Sequence, residues 1–145
     1  MTHDNGMDNP TDGIGSEFAD IINEIARRCY QVSTRSGFHS DHELITELLK
    51  QHDYDSSLEW LEATAEQAEI ARMHSELSEG LESVRKNPNR PDEHLPQFDN
   101  RTVEYADCII RIFDTCAKRN LPLGEALVAK IRYNASRPYK HGKNS

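Results

Sequence analysis

Apolar residues recur at three- and four-residue spacing along most of the chain, and no segment alternates clearly in steps of two. The first spacing is that of one face of an α-helix; the second would be that of a half-buried strand. The class that follows is all-α, most simply a helical bundle. A first helix is expected over about residues 17–34, with Ser16 as its N-cap and Phe18, Ile21, Ile22, Ile25, Cys29 and Val32 on one face. Ser40-x-x-Glu43 and Ser56-x-x-Glu59 are capping-box patterns. The former opens a short helix with Leu44, Ile45, Leu48 and Leu49. The latter opens a long one, to about Lys86, with Leu58, Leu61, Ile70, Met73, Leu77, Leu81 and Val84 on its face. Pro88 and Pro91 close it, and residues 87–97 read as a loop. A fourth helix, about 102–119, takes Asp99 or Asn100 as its cap and Val103, Ala106, Ile110, Phe113 and Ala117 as its stripe; Asn120 is a left-handed C-cap. Pro122 suits the first turn of a fifth helix, about 122–136, carrying Leu123, Leu127 and Ile131, which Pro138 stops. Residues 1–15, polar and rich in Asn, Asp and Gly, read as a disordered tail.

Composition narrows the function classes. Only 36% of the 145 residues are hydrophobic and the mean hydropathy is −0.79, so a monomer has a thin core and self-association is expected. The net charge of −8 argues against a binder of nucleic acid polymers, which needs a basic face. Yet residues 130–145 hold five Lys/Arg and no Asp or Glu. An acidic body with a basic tail suits a metal in one part and phosphate in the other; a merely solvated tail explains the same charges. The three cysteines form no C-x-x-C and sit in helical patterns, as reduced, buried residues of a cytoplasmic protein do. No apolar run approaches the roughly 20 residues that span a bilayer, and no signal-peptide pattern opens the chain.

Two short patterns carry the chemistry. Glu76-Leu77-Ser78-Glu79 lies in the long helix and Glu104-Tyr105-Ala106-Asp107 in the next. Carboxylates three residues apart share one helix face, with roughly 5–6 Å between their Cβ atoms. If the two helices pack antiparallel, both pairs meet at one level. Four carboxylates so placed repel one another unless some stay protonated or a cation intervenes. A hard divalent ion suits oxygen ligands and keeps waters that substrate phosphates can replace. Two ions can clamp a phosphoryl group and activate water. A single E-x-x-E on a helix is usually only a solvated face; two on successive helices are harder to explain that way.

The full series is E-x-x-E, 24 residues, E-x-x-D, then Lys130-x-x-x-Asn134-x-x-Arg137-Pro138 and His141-Gly142. It resembles the MazG-like family of nucleotide pyrophosphohydrolases, among the all-α NTP pyrophosphatases, over about residues 70–143. The resemblance implies a helical bundle assembled as a homodimer or homotetramer with shared sites. It implies Mg²⁺ or Mn²⁺, two or more ions per site, on Glu76, Glu79, Glu104 and Asp107. It implies a nucleoside triphosphate substrate, water attack at the α-phosphate and release of pyrophosphate. Lys130, Asn134 and Arg137 match sugar and phosphate contacts, and Lys140, His141 and Lys143 would close over the phosphates. Glu79, Lys130 and Arg137 are then the expected catalytic residues, with Glu79 a candidate to orient the water. Residues 16–137 become the catalytic domain and 138–145 a phosphate-binding tail. Two departures touch the substrate pocket: Lys143 stands where a second Gly commonly follows His-Gly, and residues 38–55 exceed what a minimal member needs.

Other residues read more plainly. Trp60 suits a base platform or, more simply, an interface. His39-x-x-His42 lacks further zinc ligands at suitable spacing. Arg111, four residues after Asp107, is placed to pair with it and compete with metal. Two other function classes fit parts of the pattern: a non-enzymatic helical interaction module, and a ferritin-like di-iron protein, whose Glu-x-x-His motifs neither carboxylate pair supplies. A phosphoribosyl nucleotide is an alternative substrate for the same chemistry.

Overall fold

The computed structural model describes residue 11 and residues 13–137, and Lys140, His141 and Lys143 lie outside them. The described chain is all-α. Its helices are α1 (Ser16–Arg35), α2 (Ser40–Gln51), α3 (Asp55–Lys86), α4 (Asn100–Lys118) and α5 (Leu123–Ala135). Asp99 caps α4 as expected, its side chain accepting from the Thr102 amide at 3.0 Å. Asn120 takes φ 53°, the left-handed conformation expected after α4. The three serine caps are not found. α1, α2 and α3 start one residue or so earlier, at Gly15, His39 and Tyr54 as N-caps, and none makes a side-chain cap bond. Ser16, Ser40 and Ser56 therefore sit inside the first turn, past the position from which a hydroxyl closes the helix end. Pro122 is likewise the N-cap of α5 and not its first helical residue.

The principal packing runs α2–α3–α4–α1–α5, an open series in which each helix leans chiefly on its neighbours. α3 and α4 are antiparallel: Glu69 meets Lys118, Glu76 meets Arg111, and Gly80 meets Glu104 and Tyr105. The α3 face turned inward is not the apolar stripe the periodicity suggests. It holds Glu69, Glu76, Gly80 and Ser83, all buried, while Ile70, Leu77, Leu81 and Val84 are each 42–52% exposed. Charge and close approach hold this joint. The Glu69 carboxylate accepts from Lys118 Nζ at 2.8 Å and from Arg119 Nε at 3.0 Å. Burial alone would raise the Glu69 pKa, but these hydrogen bonds and charges outweigh it and hold it below the usual carboxylate range. Gly80 lets α4 close in, since a Cβ there would stand 3.2 Å from Tyr105 Cε1.

α1 joins α4 and α5 through small residues. Ala19 and Ala26 are 4% exposed, and Gly124 lies so close to the Ala19 backbone that a Cβ there would stand 2.2 Å from its carbonyl oxygen. His39, buried between α1 and α2, ties that corner to α4 through Asp114 Oδ1 at 3.0 Å and packs on the Tyr30 ring. His42 stands 3.5 Å from Glu62, so the two histidines of H-x-x-H engage different carboxylates. Among the described residues the buried apolar core comprises only Ala19, Ala26, Cys108 and Val128, and no large side chain is fully buried. Among the described residues, no helix is long and apolar enough to cross a membrane.

Candidate metal centre

The antiparallel register of α3 and α4 brings the two carboxylate pairs to one level. Oxygens of Glu76, Glu79 and Glu104 lie within 4.8 Å of one another. Asp107 is outside that tight group but lines the same cleft, of about 610 Å³, as all three. Glu76 is buried, Glu104 half-buried and Glu79 exposed, so the cluster opens from the helix interface to solvent. Its walls come from α3, from α4 and from the loop between them, which adds Arg90, Asp92 and His94.

The loop is fixed by hydrogen bonds. Pro91 and Asp99 form a bridge, with the Asp92 amide donating to the Phe98 carbonyl at 3.0 Å and the Asn100 amide to the Arg90 carbonyl at 2.8 Å. Asp92 accepts from the amides of His94 and Leu95, both at 2.9 Å, which lower its pKa. The Asn100 side-chain amide then donates both to Asp92 Oδ2 at 3.1 Å and to Glu104 Oε1 at 2.7 Å. Asn100 thus couples the loop to a carboxylate of the cluster.

Electrostatics show an uncompensated acidic site. Burial, then the charges of Glu79, Asp107 and Glu76, hold Glu104 above the usual carboxylate range, against the Asn100 hydrogen bond. Burial and the Glu76 charge do the same to Asp107, with Arg111 opposing. Three converging hard oxygen donors beside open volume suit Mg²⁺ or Mn²⁺, and a divalent ion would relieve this repulsion. One cation already answers part of it: Arg111 Nε donates to Glu76 Oε1. The i,i+4 spacing points Arg111 at Asp107, but its hydrogen bond goes across to α3.

Of the substrate-binding residues expected on and after α5, the three that are described stand elsewhere. Lys130 and Asn134 on α5 and Arg137 beyond it are exposed and are not among the residues lining the acidic cleft. Lys130 Nζ lies 5.1 Å, and Arg137 Cζ 5.8 Å, from the Tyr133 ring centroid. Arg90 and His94, which do line the cleft, carried no sequence signal because a loop has no periodicity to read. Trp60, 69% exposed, lines a separate apolar groove with Ile45, Leu49 and Leu61. Glu82 pairs with Lys86 at 3.0 Å. No protein-family model, curated protein or solved structure matches the chain.

Proposed function

We propose that the chain hydrolyses nucleoside triphosphates to monophosphate and pyrophosphate with Mg²⁺ or Mn²⁺ held by Glu76, Glu79, Glu104 and Asp107. The observation that carries this reading is the convergence of three of these carboxylates, from two helices, within 4.8 Å at an open cleft that the fourth also lines. The metal would supply charge to neutralise the phosphates and would lower the pKa of the attacking water. Water oxygen bonds to the α-phosphorus, the bond to the α–β bridging oxygen breaks, and its electron pair leaves with pyrophosphate. The water's proton passes to a carboxylate of the cleft, for which Glu79, exposed like Asp107, is our candidate. Asn100 orients Glu104, Arg111 donates to Glu76 and Ser75 donates to Glu79 at 3.3 Å, so three of the four carboxylates are held by a neighbouring donor.

The protein would work as a homodimer or homotetramer. An open helix series without a fully buried large side chain, and with Ile70, Leu77, Leu81 and Val84 bare on its longest helix, leaves an apolar face for a second copy to cover. Assembly would also offer a route by which Lys130, Asn134 and Arg137 of one copy serve the cleft of another.

The test is release of pyrophosphate from a panel of NTPs and dNTPs with Mg²⁺, with Mn²⁺ and with EDTA. Metal-dependent release from any member supports the reading. Silence from folded protein with metal present refutes it and favours a helical interaction module, to which the groove at Trp60 would then belong.

A further inference from the structure

Asp107 and Arg111 line the acidic cleft and also a second space, of about 390 Å³, between α1, α3 and α4. The two spaces differ in charge. Six carboxylates and two arginines line the cleft, which suits a cation. The second space has Asp107 and Asp114 against Arg72 and Arg111, so its carboxylates and guanidiniums cancel. Val32, Phe38 and Ile110 add apolar wall. A pocket neutral in sum, largely apolar and polar at a few points suits a flat, uncharged ligand with hydrogen-bonding edges.

Phe38 narrows the class. The turn after α1 fixes its backbone: Gly37 takes φ 80°, and the Gly37 and Phe38 amides donate to the carbonyls of Thr34 and Ser33 at 3.0 and 3.1 Å. Phe38 is thereby held at the pocket while 76% exposed, giving up the burial a phenylalanine commonly takes. A fixed, bare aromatic ring is a platform on which a base can stack. The polar groups beside it are uncommitted. Arg72 makes no ion pair or hydrogen bond among the described residues. Asp114 meets His39 through Oδ1 at 3.0 Å, and its Oδ2 has no partner among those residues. A guanidinium only donates and a carboxylate only accepts, so the pair can read a ring edge that carries both an acceptor and a donor.

We infer that this space is the nucleobase pocket, in which the base stacks on Phe38 and its edge meets Arg72 and Asp114, with the phosphates in the adjoining cleft. The inference rests on the reading of the cleft as a metal-dependent pyrophosphohydrolase and adds what selects its substrate. The base platform that the sequence suggests at Trp60 is then at Phe38, since Trp60 lines a separate groove.

The experiment is calorimetric titration of the full chain with Mn²⁺, then at saturating Mn²⁺ with nucleoside and deoxynucleoside monophosphates. Ribose 5-phosphate and deoxyribose 5-phosphate are the base-free counterparts. Stacking predicts that at least one monophosphate binds roughly tenfold or more tighter than its counterpart. Phe38→Ala should remove most of that gap and Phe38→Tyr should keep it, with base-free affinity within about twofold of wild type in both. Arg72→Gln should narrow the gap severalfold. Monophosphate affinity unchanged in Phe38→Ala, or base-free affinity lowered equally with it, overturns the pocket; the same result in Arg72→Gln overturns its place at the base edge. Wild-type protein that takes up Mn²⁺ but binds no monophosphate tighter than its counterpart overturns the pocket alone. Base-dependent binding without pyrophosphate release from any NTP or dNTP overturns the hydrolysis and leaves the pocket standing. Protein that takes up no Mn²⁺ overturns the metal reading and the pocket with it.

Discussion

Gly124→Ala should detach α5 from the rest of the protein. A Cβ at residue 124 would stand 2.2 Å from the Ala19 carbonyl oxygen and 2.8 Å from two more Ala19 backbone atoms. Relief to ordinary contact needs α5 to retreat by roughly 1 Å. Backbone, not a flexible side chain, is the obstacle, so the overpacking cost is about 1–3 kcal/mol. The retreat also strains the bond from the Gly124 amide to Asn23 Oδ1, 2.9 Å, and that from Asn23 Nδ2 to Glu125 Oε2, 3.0 Å. Loss of the first leaves a part-buried donor unmet, for about 1 kcal/mol. Alanine's better helix propensity returns at most about 1 kcal/mol, and less in a first turn. The net is about 2 kcal/mol against docking. Because α5 packs chiefly on α1, the loss should appear as local opening and not only as global unfolding. Hydrogen exchange read by mass spectrometry should show amides of residues 123–135 exchanging roughly 30-fold faster, with α3 and α4 little changed. Gly80→Ala is the contrast, since its Cβ would meet side chains and not backbone, the half-exposed Tyr105 ring at 3.2 Å and Glu104 Cβ at 3.6 Å. Exchange over α5 that is unchanged or slowed in Gly124→Ala would refute the close approach itself.

Further outcomes follow from the same contacts. Glu79→Gln should cut metal-dependent pyrophosphate release at least about 100-fold while circular dichroism stays unchanged; retained turnover at saturating Mg²⁺ counts against the ligand assignment. Glu104→Gln should raise the melting temperature of metal-free protein at neutral pH. The folded pKa of Glu104 is raised, so its ionised form opposes folding above that pKa and the gain vanishes as pH falls through it; a variant less stable at neutral pH contradicts this. Glu69 has the opposite sign. Its lowered folded pKa gives stability present above the unfolded value and lost as pH falls through the folded one, and Glu69→Gln, which leaves Lys118 and Arg119 without their buried partner, should cost about 3 kcal/mol in urea unfolding at pH 7. For the proposed assembly, Ile70→Lys should lower the mass in sedimentation equilibrium to that of a monomer, and a mass equal to the wild type's would show that this stripe is not the interface.

Apart from the three misplaced serine caps, what the sequence showed and what it hid divide between contacts within a helix and contacts between helices. Helix positions, the Asp99 cap and the left-handed Asn120 depend on neighbours in the chain, and these were readable. The carboxylate pairs were readable too, because i,i+3 spacing fixes a shared face whatever packs on it. The inward face of α3 was not. Periodicity shows that Ile70, Leu77 and Leu81 share a side, but not that α4 would instead take the side of Glu69, Glu76 and Gly80. The residues themselves explain the outcome. Gly80 permits the approach, and Glu69 and Glu76 find cations on α4, so the polar face can be satisfied within one chain. The apolar face finds no such cover among the described residues. The same division explains the cations. Arg111 at i+4 suggests Asp107 in sequence but hydrogen-bonds to Glu76, and Arg90 reaches the cleft only because the Pro91–Asp99 bridge folds the loop back. A site built between two helices and completed by their connection puts its acids in the legible part of the sequence and its cations in the part that only folding reveals.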